Sequence, residues 1–220
     1  MDGLLNQHLN AKQLSLFAKQ CLDSQADLSQ NFACKLKLAL PVQTVSLRSN
    51  LSGFRNYPIE VIFEKGSSGE ELWLQFEVLY SSTCPQSEGL SMEILKAQTK
   101  AFDHLPATPH AQRSRAVIQV QLGDFDQVVI ESLIEQVEKS LGTPVQTTVK
   151  KADEMRFAEL NAANLMFCED AVRKISQTLA QSPLIKGFSV YCEHQESLHP
   201  HNASSLKRVR FSPPQRLQFS

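Results

Sequence analysis

Apolar and polar positions alternate most regularly between Tyr57 and Tyr80. Tyr57, Ile59, Val61 and Phe63 fall on one side of an extended chain, with Glu60, Ile62 and Glu64 on the other. After Lys65-Gly66-Ser67-Ser68-Gly69 the pattern resumes with Leu72, Leu74, Phe76, Val78 and Tyr80. A period of two on both sides of a Gly/Ser turn predicts a long antiparallel hairpin with one face in the core. Upstream, Leu36, Leu38, Leu40 and Val42 occupy even positions, whereas Val45 and Leu47 occupy odd ones. A strand changes parity only by taking in an extra residue, which predicts a bulge or break near Gln43-Thr44. Ala116, Ile118, Val120 and Leu122 mark a further strand stopped by Gly123, and two last strands are expected around Phe188, Val190 and Cys192 and over Leu206 to Phe211.

Helical spacing takes over elsewhere. Leu14, Leu16, Phe17, Ala18 and Leu22 give an irregular stripe within a helical segment at residues 1–30, and Leu90, Ile94, Leu95, Ala97 and Ala101 give one from Glu88 to Phe102. Asp124 followed by Gln127 reads as a capping-box start. Val129, Leu133 and Val137, with Ile130, Ile134 and Leu141, then fill the i, i+4 rows until Gly142 and Pro144 end the helix. A second long helix runs from about Leu165 to Ala180 on Cys168, Ala171, Val172, Ile175 and Leu179, with Pro183 beyond it. Strands, then helices, then strands predict an α+β fold with antiparallel hairpins around paired helices. After the helical segment at 1–30, residues 31–220 read as a single domain, divisible near Arg115 into units of roughly 31–114 and 115–220.

Composition narrows the function classes. The 220 residues carry 22 Lys+Arg against 23 Asp+Glu, a net charge of −1. The basic excess that non-specific nucleic-acid binding leans on is absent. The longest apolar run, Leu38 to Val42, contains Pro41 and is far short of the roughly 20 residues that span a bilayer. Met1 to His8 shows neither a basic n-region nor an apolar h-region, which makes the cytoplasm the default location. Cys21, Cys34, Cys84, Cys168 and Cys192 form an odd set without a C-x-x-C pair, arguing against a disulfide framework or a zinc ribbon.

The candidate chemistry lies in three polar stretches. Six histidines are present (His8, His104, His110, His194, His199 and His201), and three of them crowd beside Glu193 and Glu196 after a predicted strand. In Glu196-Ser197-Leu198-His199-Pro200-His201-Asn202 the proline holds the backbone extended, so two imidazoles and a carboxylate share a short rigid loop. Imidazole binds borderline metals and titrates near neutrality, so such a set can supply a metal ligand and an acid/base pair. Cys84, at a strand exit and stiffened by Pro85, is a candidate ligand or nucleophile. The loop Pro109-His110-Ala111-Gln112-Arg113-Ser114 puts an imidazole beside phosphate-type donors. Cys84, His110 and His199 have the atom types of a three-ligand catalytic metal site with an open position.

Cys84-Pro85-Gln86-Ser87, His110-Ala111-Gln112-Arg113-Ser114, Lys150-Lys151-Ala152-Asp153-Glu154, Phe167-Cys168-Glu169-Asp170 and Glu196 to Ala203 occur in the order that resembles the GTP cyclohydrolase IB family, over roughly Val45 to Lys207. The resemblance implies a tunnelling fold, an antiparallel sheet with paired helices on one face, built as two fused tunnelling-fold-like units. It also implies a cytoplasmic homotetramer with active sites at subunit interfaces. The reaction implied is hydrolysis of GTP to formate and 7,8-dihydroneopterin triphosphate, the first step of folate and pterin biosynthesis leading to tetrahydrofolate. Carried over by position, Cys84, His110, Glu154 and His199 resemble the residues around one divalent metal per subunit, for which Zn²⁺, Fe²⁺ and Mn²⁺ all suit the donors. Cys84, Glu196 and His201 resemble the catalytic groups. Glu169 resembles the guanine anchor, while Arg113 and Lys150, with Lys151, are candidates for the triphosphate. On its own, a carboxylate at the start of a helix, such as Glu154 or Glu169, needs no function, since the macrodipole stabilises it there. Gln86 stands where the family motif has a second cysteine. That departure leaves open a catalytically weak purine- or pterin-binding paralogue, and the shared Glu and His pattern leaves open another tunnelling-fold enzyme on a related purine.

Overall fold

The computed structural model describes residues 10–97 and 107–219. The elements run α1 (Ala11–Asp23), β1 (Phe32–Val45), β2 (Ser52–Gly66), β3 (Gly69–Thr83), α2 (Pro85–Ala97), β4 (Ala111–Leu122), α3 (Gln127–Leu141), α4 (Lys151–Ala163), α5 (Cys168–Leu179), β5 (Ile185–His194) and β6 (Ala203–Val209). The six strands form one antiparallel sheet in chain order, β1 to β6. The expected unit boundary near Arg115 falls within β4.

The alternation of the hairpin explains the core. Register places Leu36, Val61, Leu74, Val120, Phe188 and Val209 in one row across all six strands. Neighbouring rows extend this apolar face, and α1, α3 and α5 pack on it through Leu14, Ile134, Val137, Ile175 and Leu179. Burying each such side chain is worth about 1.5–3 kcal/mol, the largest favourable contribution to this layer. On the opposite face, Trp73 Nε1 donates to the Ser212 carbonyl at 2.7 Å, and the buried Glu64 carboxylate accepts from the backbone N–H groups of Gln215, Arg216 and Leu217. The tail after β6 is thus strapped to the sheet.

Several boundaries differ from expectation for identifiable reasons. β1 pairs with β2 in unbroken register from Phe32↔Lys65 to Val45↔Ser52, so there is no bulge at Gln43-Thr44. Even parity simply continues to Thr44, whose hydroxyl lies 3.2 Å from that of Thr147, while Val45 faces solvent. The α3 cap is Asp126, which accepts from Val129 N at 2.9 Å, and Gly142 closes the helix in the left-handed conformation with φ 82°. α2 starts at Pro85, and Ala101 and Phe102, expected in it, lie outside the described residues, as do His8 and His104. β3 and β4 run on through Ser81-Ser82-Thr83 and Ala111-Gln112-Arg113-Ser114, stretches expected to be loops. Only the start of α4 was foreshadowed, by the helix-start reading of Glu154, because Met155, Phe157, Leu160 and its alanines trace no single stripe. Its one buried residue is Asp153.

Candidate active site

Following the register of β3, β4 and β5 past the apolar core leads into polar rows on the same face. Tyr80 pairs with Ser114 and Ser114 with His194, and the next row pairs Ser82 with Gln112. One step further, where the strands end, Cys84 N donates to the His110 carbonyl at 3.1 Å. Ser82, Gln112 and Ser114 stand in phase with Val78, Ala116 and Ile118, so they point inward and are buried.

Buried polar groups must pair, and these do. The Ser82 and Ser114 hydroxyls are 2.8 Å apart. Gln112 Nε2 donates to Ser82 Oγ at 3.1 Å and to Glu196 Oε1 at 3.3 Å, while Gln112 Oε1 lies 3.2 Å from His110 Nδ1. Glu196 Oε2 is 3.9 Å from the same ring nitrogen. Pro85 occupies the first position of α2, where its missing N–H costs nothing, and Glu88 N donates back to the Cys84 carbonyl at 3.1 Å. In that first turn Ser87 Oγ accepts from His110 N at 3.1 Å, whereas Gln86 is exposed. Cys84, His110 and Glu196 therefore meet at one end of the sheet around Gln112.

The start of α5 borders this end, since Met166 N donates to the Thr83 carbonyl at 3.1 Å. Glu169 is exposed there and accepts from Cys168 Sγ at 3.2 Å. Behind it, His194 Nε2 lies 3.0 Å from Tyr80 Oη. Burial pushes His194 down to about 4, with the Glu169 and Asp170 charges pulling weakly the other way. Burial likewise pushes the Cys168 thiol up to about 11 and the Cys192 thiol up to about 12. Both are buried packing groups, protonated at neutral pH.

Of the other expected residues, Arg113 and Glu154 line a pocket of about 420 Å³ together with Gln112, Val149, Asp153 and Phe157. Its base is held by Asp153, which accepts from Arg48 N, Ser49 N, Ser49 Oγ and Lys150 N, bonds that keep its carboxyl well below the usual range. Lys150 is exposed at the start of α4. His199 and His201 are exposed and stack on each other, with ring centroids 5.2 Å apart. Among the described residues, no group of three His, Cys, Asp or Glu side chains is gathered closely enough to hold a metal ion. The donor set of one chain therefore offers a divalent ion a neighbouring pair, Cys84 and His110, rather than a closed cage.

Residues 1–205 match the family described as type I GTP cyclohydrolase folE2. Proteins named GTP cyclohydrolase FolE2 are similar over most of the chain. The one from Hahella chejuensis is 38% identical over 219 residues, 92% of this chain and 72% of that protein. The one from Xanthomonas axonopodis pv. citri is 38% identical over 224 residues, covering 92% and 73%. The chain belongs to this family.

The fold of this GTP cyclohydrolase family member also resembles the crystal structure of uricase from Arthrobacter globiformis, with a TM-score of 0.54 at 8% identity over 93% of this chain and 71% of that one. The α+β tunnelling fold is thereby shown, with its antiparallel sheet and helices on one face. Within the site, Gln112, Ser82 and Ser87 were given no functional role from the sequence, and Ser114 was read only as a phosphate-type donor. The signal was there: Gln112 and Ser114 are polar residues in phase with Ala116, Ile118, Val120 and Leu122.

Proposed function

We propose that the protein converts GTP and water to formate and 7,8-dihydroneopterin triphosphate, with a divalent metal at Cys84 and His110. The convergence of Cys84, His110 and Glu196 on one polar row, in a chain of the GTP cyclohydrolase family, carries this reading. C8 of guanine is a poor electrophile. When bound, the divalent ion supplies Lewis acidity that brings the pKa of water from 15.7 to about 7 in the best cases.

This chain's own residues supply the rest. Glu169, exposed beside the same row, would accept the guanine N–H edge. Glu196, held by Gln112, and His201 would move protons during ring opening and sugar rearrangement, the work of a positioned acid and base. Arg113 and Lys150 would take the triphosphate, for which cationic forks and ammonium groups are suited. Among the described residues of one chain, Glu154 and His199 do not close a three-ligand group with Cys84 and His110. Completion of the ligand set where subunits of a homo-oligomer, a tetramer, meet is the arrangement that reconciles them. Two fused units, roughly 31–114 and 115–220, and a cytoplasmic location belong to the same reading.

The test is direct. Purified protein supplied with GTP and Zn²⁺, Fe²⁺ or Mn²⁺ in turn should release formate and a product that becomes fluorescent neopterin after oxidation and dephosphorylation. His110→Ala and Cys84→Ser should each abolish metal retention and formate release together. Absence of formate from wild-type protein with every metal would overturn the assignment.

A further inference from the structure

The hydrogen bonds around Gln112 determine which nitrogen of His110 is free. An ionised carboxylate only accepts, so the Gln112 group 3.3 Å from Glu196 Oε1 has to be the amide NH₂. The same NH₂ meets Ser82 Oγ at 3.1 Å, and Ser82 in turn is tied to Ser114 at 2.8 Å, which anchors the amide from the buried side. Gln112 Oε1 must then be the atom 3.2 Å from His110 Nδ1, and a carbonyl oxygen also only accepts. Nδ1 therefore carries the hydrogen. Glu196 Oε2, 3.9 Å from Nδ1, favours the same form. The lone pair of neutral His110 is left on Nε2, and the backbone of His110 is fixed by Cys84 N and Ser87 Oγ.

We propose that Gln112 is a positioning residue that holds His110 as the Nδ1–H tautomer, leaving Nε2 as the nitrogen that binds an electrophile beside Cys84. Its leverage comes from reading the Glu196 charge on one arm and transmitting it as an orientation on the other. A ligating imidazole whose remote N–H is held by a fixed acceptor is set in both tautomer and ring plane. This rests on the reading of His110 as a metal ligand. The tautomer is an equilibrium property of the metal-free chain, so its failure is separable from a failure of metal binding or turnover.

The experiment is long-range ¹H–¹⁵N correlation spectroscopy of ¹⁵N-histidine-labelled full chain without metal. It is run at about pH 8.5, two units above the usual imidazole value, with the His110 signals assigned by their loss in His110→Ala. Wild-type His110 should show a single Nδ1–H form, its unprotonated ¹⁵N signal coupled as Nε2. Gln112→Leu, close in size but without either arm, should convert this into a mixture in which Nε2–H is populated. Should Gln112→Leu not fold, Glu196→Gln at the rim lets the Gln112 amide turn over and should give the same mixture. Predominant Nε2–H in the wild type, or an unaltered Nδ1–H form in the folded variant, would overturn the proposal.

Discussion

His194 Nε2 and Tyr80 Oη lie 3.0 Å apart inside the molecule, joining β5 to β3 across the intervening Ser114 of β4. Burial holds His194 down to about 4, below the value near 6.5 of an exposed imidazole. The unfolded chain thus binds this proton more readily than the folded one. Acid then favours unfolding, and stability is lost as pH falls from about 6.5 toward about 4. Urea unfolding at pH 7 and pH 5 should show wild type losing on the order of 2 kcal/mol from this group. His194→Asn should be less stable at pH 7 and lose correspondingly less between the two. An equal pH dependence in both proteins would contradict the assignment.

A second prediction concerns the tail. Glu64 accepts from three consecutive backbone N–H groups, at 3.3 Å from Gln215, 2.7 Å from Arg216 and 3.1 Å from Leu217. Glu64→Ala removes every acceptor and should cost about 1–3 kcal/mol. The measurable signature is local. Amide exchange at Arg216 and Leu217 should accelerate by at least tenfold, while the β3/β4 ladder exchanges as before.

Both relationships show what the chain discloses and what it withholds. The β2/β3 hairpin was legible because its inward row is apolar from Tyr57 to Phe63 and again from Leu72 to Tyr80, and α3 because its apolar rows repeat to a glycine stop. The ends of β3 and β4 were not, since there Ser82, Gln112 and Ser114 take the inward positions and hydrogen bonds replace burial as the reason to stay extended. Most of α4 was hidden for a related reason: the helix is tied down through one buried carboxylate, Asp153, and not through a stripe. Cys84, His110 and Glu196 could be singled out as chemistry-bearing residues. Their meeting depends on register between strands, a long-range property that no local pattern carries.

Glu169 offers a test of substrate recognition. Its carboxylate is exposed at the start of α5 and accepts from the Cys168 thiol. Glu169→Ala should weaken GTP binding by roughly 10- to 150-fold, the loss of a charged hydrogen bond worth about 1.5–3 kcal/mol. Affinity for ATP, which lacks the same donor edge, should stay as weak as in wild type. Competition titrations with the two nucleotides read this directly, and parallel losses for both would remove Glu169 from the guanine site.

Gln86 occupies the place of a motif cysteine, yet its neighbour Ser87 is the residue of that turn aimed at His110, while Gln86 itself is exposed. Turnover should therefore not depend on a thiol there. Gln86→Cys is expected to leave kcat for formate release within about threefold of wild type, because an interaction absent from the transition state does not enter its free energy. A tenfold gain would show that the position reaches the reacting atoms.

The strands are neighbours in the sheet in the order they are made, but between β4 and β5 the chain leaves to build α3, α4 and α5. β1, β2 and β3 are joined by short connections and β4 follows after α2, whereas β5 must wait for a still longer loop carrying three helices to close, an entropic cost met before its contacts form. Cys84 and His110 belong to the early part and Glu196 to the late one. Topology thus ties Cys84 to His110 through the β3/β4 pairing alone, while Glu196 is brought in only by the pairing of β5 with β4. Only a chain that has completed its last hairpin possesses the whole constellation.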